Sequence, residues 1–114
     1  MRTTPGVLRA AAMLGVMVGL SCDRAVEPTP PILDVFTPGN TFSPFTATIP
    51  VGGTVRFNIF GDDHNVIFAR ATAGAPSDIN IVKDVMVERA FSAVGTFPYS
   101  CTVHPGMNGE IVVR

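Results

Sequence analysis

From Pro31 onward, no window of a dozen residues keeps a helical period through its glycines and prolines. Apolar residues instead alternate in short runs bounded by turn formers, which is the pattern of half-buried strands. Strands are predicted over Ile32 to Phe36, Thr46 to Pro50, Thr54 to Phe60, His64 to Phe68, Val85 to Phe91, Thr96 to Cys101 and Gly109 to Arg114. Val51-Gly52-Gly53, Gly61-Asp62-Asp63 and Ala93-Val94-Gly95 read as turns, and Ala69 to Asp84 as a longer connection. The alternation turns Val55, Phe57 and Ile59 to one face, as it does His64, Val66 and Phe68, and Phe97, Tyr99 and Cys101. Short strands between Gly/Pro turns predict an all-β chain folded as an antiparallel β-sandwich. Pro98 cannot donate a ladder bond, so its strand needs an open or irregular edge there.

The length of 114 residues allows one domain, expected over residues 32–114. Residues 1–21 are predicted to be a removable export signal. Arg2 and Arg9 precede an 11-residue apolar run, Ala10 to Leu20, too short for the ~20 residues a membrane helix needs. Gly19-Leu20-Ser21 before Cys22 suits ordinary signal peptidase. It also resembles a bacterial lipobox, in which the cysteine becomes the first mature residue and is acylated, although Leu20 stands two places before Cys22 rather than three. Lipidation of Cys22 is the favoured reading, because an exposed thiol in an oxidising compartment is a liability. The competing readings are a disulfide to Cys101 and an idle thiol. Residues 22–31 are polar and proline-rich, a tether of about 3.1 Å per residue and up to roughly 30 Å reach. These features place the chain outside the cytoplasm, in the periplasm or at the cell surface, attached to a bacterial membrane. From Cys22 on there are six basic and nine acidic residues, net −3, which gives no support to nucleic-acid binding.

The chemistry is concentrated in Cys101-Thr102-Val103-His104-Pro105-Gly106-Met107. The heptapeptide sets a thiolate, an imidazole and a thioether at intervals of three. Soft sulfur donors with imidazole suit copper, and two His with one Cys and a weak axial Met is the blue-copper arrangement. The motif lacks a second histidine, and the chain has one other, His64, which strand alternation turns inward. Taken singly, Cys101 reads as a buried thiol, Met107 as a turn or core methionine and His64 as a satisfied core histidine. Together they read as a metal site. Zinc prefers four strong tetrahedral donors, among which a thioether is a poor one.

Gly95 to Val113 resembles the C-terminal signature of the plastocyanin and amicyanin branch of the cupredoxins, His64-Asn65-Val66-Ile67-Phe68 resembles that family's segment for the first ligand, and Val51 to Phe57 resembles the strand and turn before it. The two-residue gap between Cys101 and His104 is most similar to amicyanin. The resemblance implies a Greek-key sandwich holding one Cu(I)/Cu(II) ion. It implies Cys101 as thiolate ligand, His64 and His104 as the other equatorial ligands, and Met107 as the axial ligand. It further implies that Asn65 holds the ligand loop in register and that His104 lies at the rim as the electron exit. Two departures stand beside the site: Asp63 replaces a frequent proline, and Phe57 to His64 is about one residue short.

The expected function is one-electron transfer by a mononuclear type 1 copper protein. A non-enzymatic role follows from the absence of a second loop cysteine for a dinuclear centre, of enough histidines for a trinuclear one, and of Cys-x-x-Cys-His for haem. Copper storage, delivery or sensing is the alternative, and a purely structural domain a third. Partners are expected to be redox proteins that dock weakly on a monomer near His104, with Phe60 and Pro105 as candidates for a small apolar patch.

Overall fold

The computed structural model describes residues 29–114. The export signal, Cys22 and most of the tether lie outside the described residues. Eight strands follow in order: β1 (Ile32–Phe36), β2 (Thr46–Ile49), β3 (Thr54–Ile59), β4 (His64–Phe68), β5 (Ile79–Val82), β6 (Val85–Ala90), β7 (Gly95–Ser100) and β8 (Asn108–Val113). They form a three-stranded sheet, β1-β3-β6, facing a five-stranded sheet, β2-β8-β7-β4-β5. The chain is an all-β sandwich, as the alternation predicts.

Both sheets are mixed, which corrects the expectation of purely antiparallel pairing. β1 runs parallel to β3, and β2 runs parallel to β8. Parallel neighbours need crossover connections and leave no hairpin signal in the sequence. The second correction is β5, which lies inside the segment read as a connection. It is a four-residue edge strand that buries only Ile79 fully, so almost no alternation marks it.

Phe57, Phe91, Phe97, Ile59, Ile111, Val35, Val55 and Val66 fill the space between the sheets. Each contributes about 1.5–3 kcal/mol by leaving water. Near the centre, Tyr99 meets Phe42, Phe57 and Phe68 edge-on, at centroid separations of 4.8, 5.4 and 5.8 Å. Gly109 lies opposite Tyr99 in the β7–β8 ladder, and a Cβ there would stand 2.5 Å from the Tyr99 hydroxyl. The glycine is therefore the seat of the tyrosine ring.

The β4–β7 pairing is short, with Ile67 opposite Ser100 and Phe68 opposite Tyr99. Pro98 accepts from the Ala69 N–H at 2.9 Å just past the end of β4. The N and O of one strand residue point to the same side, so its missing donor falls where that ladder has run out. At the other end the ladder stops before the metal-ligand candidates, and both strands open into one pole of the sandwich.

Candidate metal centre

His64 is the first residue of β4, and the turn before it uses Gly61 at φ +92° to reverse the chain. Its side chain is fully buried. A one-residue register shift separates the β4–β5 pairs at His64 and Val66. Such an irregularity re-aims side chains at the end of a strand. Cys101 follows the last residue of β7, is 4% exposed, and forms no disulfide among the described residues.

The loop between Cys101 and β8 is folded by its own sequence. The Met107 N–H donates to the His104 carbonyl at 3.2 Å, with Pro105 and Gly106 between them and Gly106 at φ +82°. That is a type II turn, which favours proline at the second place and requires a glycine-like φ at the third. The Cys101 N–H donates to the Met107 carbonyl at 2.9 Å and closes the loop onto its own start. Met107 is 1% exposed and belongs to the core.

These elements bring three donors together. Cys101 Sγ lies 3.9 Å from His64 Nδ1 and 3.8 Å from His104 Nδ1, and the three donor atoms all fall within 4.8 Å of one another. Thiolate and imidazole bonds of about 2.3 and 2.0 Å to one ion separate S and N by about 3.7 Å at a trigonal angle and about 3.5 Å at a tetrahedral one. The observed spacing sits beside the trigonal value. Burial is the first cause, and the neighbouring His104 the second, that holds the His64 imidazole below its usual pKa, leaving it neutral as a metal donor requires.

The two histidines are held by different means. Nε2 of His64 is buried and finds no partner among the described residues, so its ring is set by packing and by the Nδ1 contact with Cys101 Sγ. His104 is 15% exposed, and its Nε2 lies 3.3 Å from Asp62 Oδ2. Asn65 bridges the two ligand segments: its Oδ1 accepts from the Thr102 N–H at 2.7 Å, and its Nδ2 donates to Thr102 Oγ1 at 2.8 Å. The pair of bonds continues the β4–β7 connection past the point where the backbone ladder ends. The structure thus brings together His64, Cys101 and His104, closes Met107 against the same loop, and ties Asn65 to it.

The same folding pattern occurs in solved proteins. A copper-containing nitrite reductase from Thermus scotoductus SA-01 superposes with a TM-score of 0.66 at 29% identity, over 87% of this chain and 25% of that one. Amicyanin from Paracoccus versutus (Thiobacillus versutus) superposes at 0.63 with 27% identity, over 73% of this chain and 81% of that one. A Cu(I) form of an amicyanin variant gives 0.65 and 27%, over 73% and 82%. The chain is cupredoxin-like. This cupredoxin-like chain spans a quarter of the nitrite reductase and most of the amicyanins. No protein-family model and no curated protein matches the sequence.

Asp62 and Thr102 are contacts that sequence reasoning passes over. Asp62 lies in a segment read only as a turn. A carboxylate two residues before a ligand-candidate histidine is the signal, but its target, His104, is 42 residues away in sequence.

Proposed function

We propose that this cupredoxin-like chain is a mononuclear type 1 copper protein that carries single electrons outside the cytoplasm. The observation that carries the reading is the convergence of His64 Nδ1, Cys101 Sγ and His104 Nδ1 at one pole of the sandwich. Imidazole, thiolate and thioether are the donors that suit copper. The copper in the related nitrite reductase and amicyanin supports the choice of ion.

Copper supplies the one-electron couple between Cu(I) and Cu(II). In this reading Cys101 gives the thiolate, His64 and His104 the imidazoles, and Met107 a weak thioether. The chain's own work is to fix those donors so that little rearranges when the charge changes. β4 holds His64, the end of β7 holds Cys101, and the type II turn sets His104 against Met107. Burial of His64, Cys101 and Met107 keeps water from the interior side. His104 alone reaches the rim, and its ring is the path out of the site.

Val103 and Pro105, which flank His104 in sequence, are exposed, and Phe60, two residues before Asp62, is 47% exposed. This apolar surface supports transient docking of redox proteins on a monomer, at the small end of interface sizes. No substrate chemistry is assigned to the chain. The basic and apolar N-terminal pattern, with Cys22 after it, supports export and lipid attachment to a bacterial membrane.

Voltammetry of the copper-loaded protein, paired with a chelator challenge, tests the reading. A reversible one-electron wave and slow copper loss are expected. Rapid transfer of copper to the chelator without a reversible wave would replace it with storage or delivery.

A further inference from the structure

We propose that Asp62 is a positioning residue for His104, clamping the exposed ligand candidate from outside the site. The inference rests on the copper reading above and extends it to the turn in which this chain departs from its family.

Asp62 uses its two oxygens on two different segments. Oδ1 accepts from the Asp63 N–H at 2.8 Å, which turns the carboxylate within its own turn. Oδ2 is thereby presented to His104 Nε2 at 3.3 Å, an ion-pair contact longer than the roughly 2.7–2.9 Å of a tight charge-assisted hydrogen bond. With Nδ1 of His104 facing Cys101 Sγ, Nε2 is the nitrogen left to carry the proton, and a carboxylate is the acceptor that fixes this tautomer. The Gly61 N–H donates to Asp84 Oδ1 at 3.1 Å, so the turn is itself anchored to the residue before β6.

The need for such a clamp follows from the contrast between the two histidines. His64 is immobilised by full burial in a strand. His104 sits on a loop at the rim, with a proline and a glycine after it. Its side chain is 15% exposed, and the exposed edge is the one that Asp62 faces. Asp62 belongs to the turn that leads directly into His64, so the clamp also couples the two imidazoles to one piece of backbone. A salt bridge as exposed as this one adds little to global stability. Its effect is local, on the orientation of one ring.

Asp62→Asn is the sharp variant. A carboxylate offers two acceptor oxygens, whereas an amide offers one, and two N–H groups claim them. Whichever way the amide turns, one N–H meets another donor. Asp63→Asn removes an equal charge next door without touching His104 and serves as the control. Copper affinity of the full protein, measured by chelator competition, is expected to fall about 10-fold in Asp62→Asn and Asp62→Ala, the lower bound for losing an orienting partner of a ligand. Asp63→Asn is expected to leave it within about 2-fold. NMR of the Cu(I) form is expected to show the His104 Nε2–H protected from solvent exchange in the unmodified protein and unprotected in Asp62→Ala. Equal affinities and equal exchange in the Asp62 and Asp63 variants would overturn the inference alone. Failure of the unmodified protein to take up copper would overturn the copper reading and this inference with it.

Discussion

Gly106 and Asn65 each hold the ligand loop through one local necessity. An alanine forced to φ +82° costs about 1–2 kcal/mol, because its Cβ crowds the following carbonyl. Urea unfolding of Gly106→Ala is therefore expected to show a loss of about 1–2 kcal/mol in the metal-free protein. Asn65→Ala removes two hydrogen bonds to Thr102 and strands the Thr102 N–H, with an expected loss of about 1–3 kcal/mol by the same measurement. Away from the site, Asp34 answers to pH. Its carboxyl lies below the ordinary value of 3.8, first because of the Arg56 hydrogen bond and next because of Asn58. A carboxyl depressed in the folded state favours folding above its unfolded pKa, and that contribution disappears as pH falls through the lower folded value. Stability of the unmodified protein is thus expected to fall more steeply below about pH 4 than that of Asp34→Asn, as read from urea midpoints across an acid series.

The β7–β8 hairpin shows what alternation reveals and what it hides. Phe97, Tyr99 and Cys101 face the core, as do Ile111 and Val113, and this was legible from period-two patterning. His64, Val66 and Phe68 follow the same rule in β4. The seat of Tyr99 over Gly109 was not legible, because it depends on cross-strand register. Gly109→Ala is expected to force the ring out and destabilise the fold by about 1–3 kcal/mol, measured by thermal or urea unfolding. Burial holds the Tyr99 phenol up, and its hydroxyl finds no partner among the described residues. Tyr99→Phe is accordingly expected to keep full stability or gain about 1 kcal/mol. β5 and the two parallel pairings escaped the sequence because an edge strand buries little and a crossover leaves no turn signal. Asp62 escaped for a related reason: a contact across 42 residues has no local signature.

The sandwich as a whole turns separate sequence segments into one site. The two histidines and the cysteine come from a strand start, a strand end and a turn, and the pairing of β4 with β7 inside the five-stranded sheet brings them within 4.8 Å. The loop motif was readable from Cys101 to Met107 as a unit, while His64 needed face alternation and resemblance. A ligand that binds only the folded chain stabilises it, by about 2.7 kcal/mol at 100 times its dissociation constant. Copper at one equivalent is therefore expected to raise the thermal midpoint. The most direct measurement is a Cu(II) titration of the purified protein followed by visible absorption, run in parallel on Cys101→Ser. An intense thiolate-to-copper band that saturates at one equivalent and is absent in the variant is the expected result. A titration with no band, or with a band that survives the loss of Cys101, would contradict the copper site.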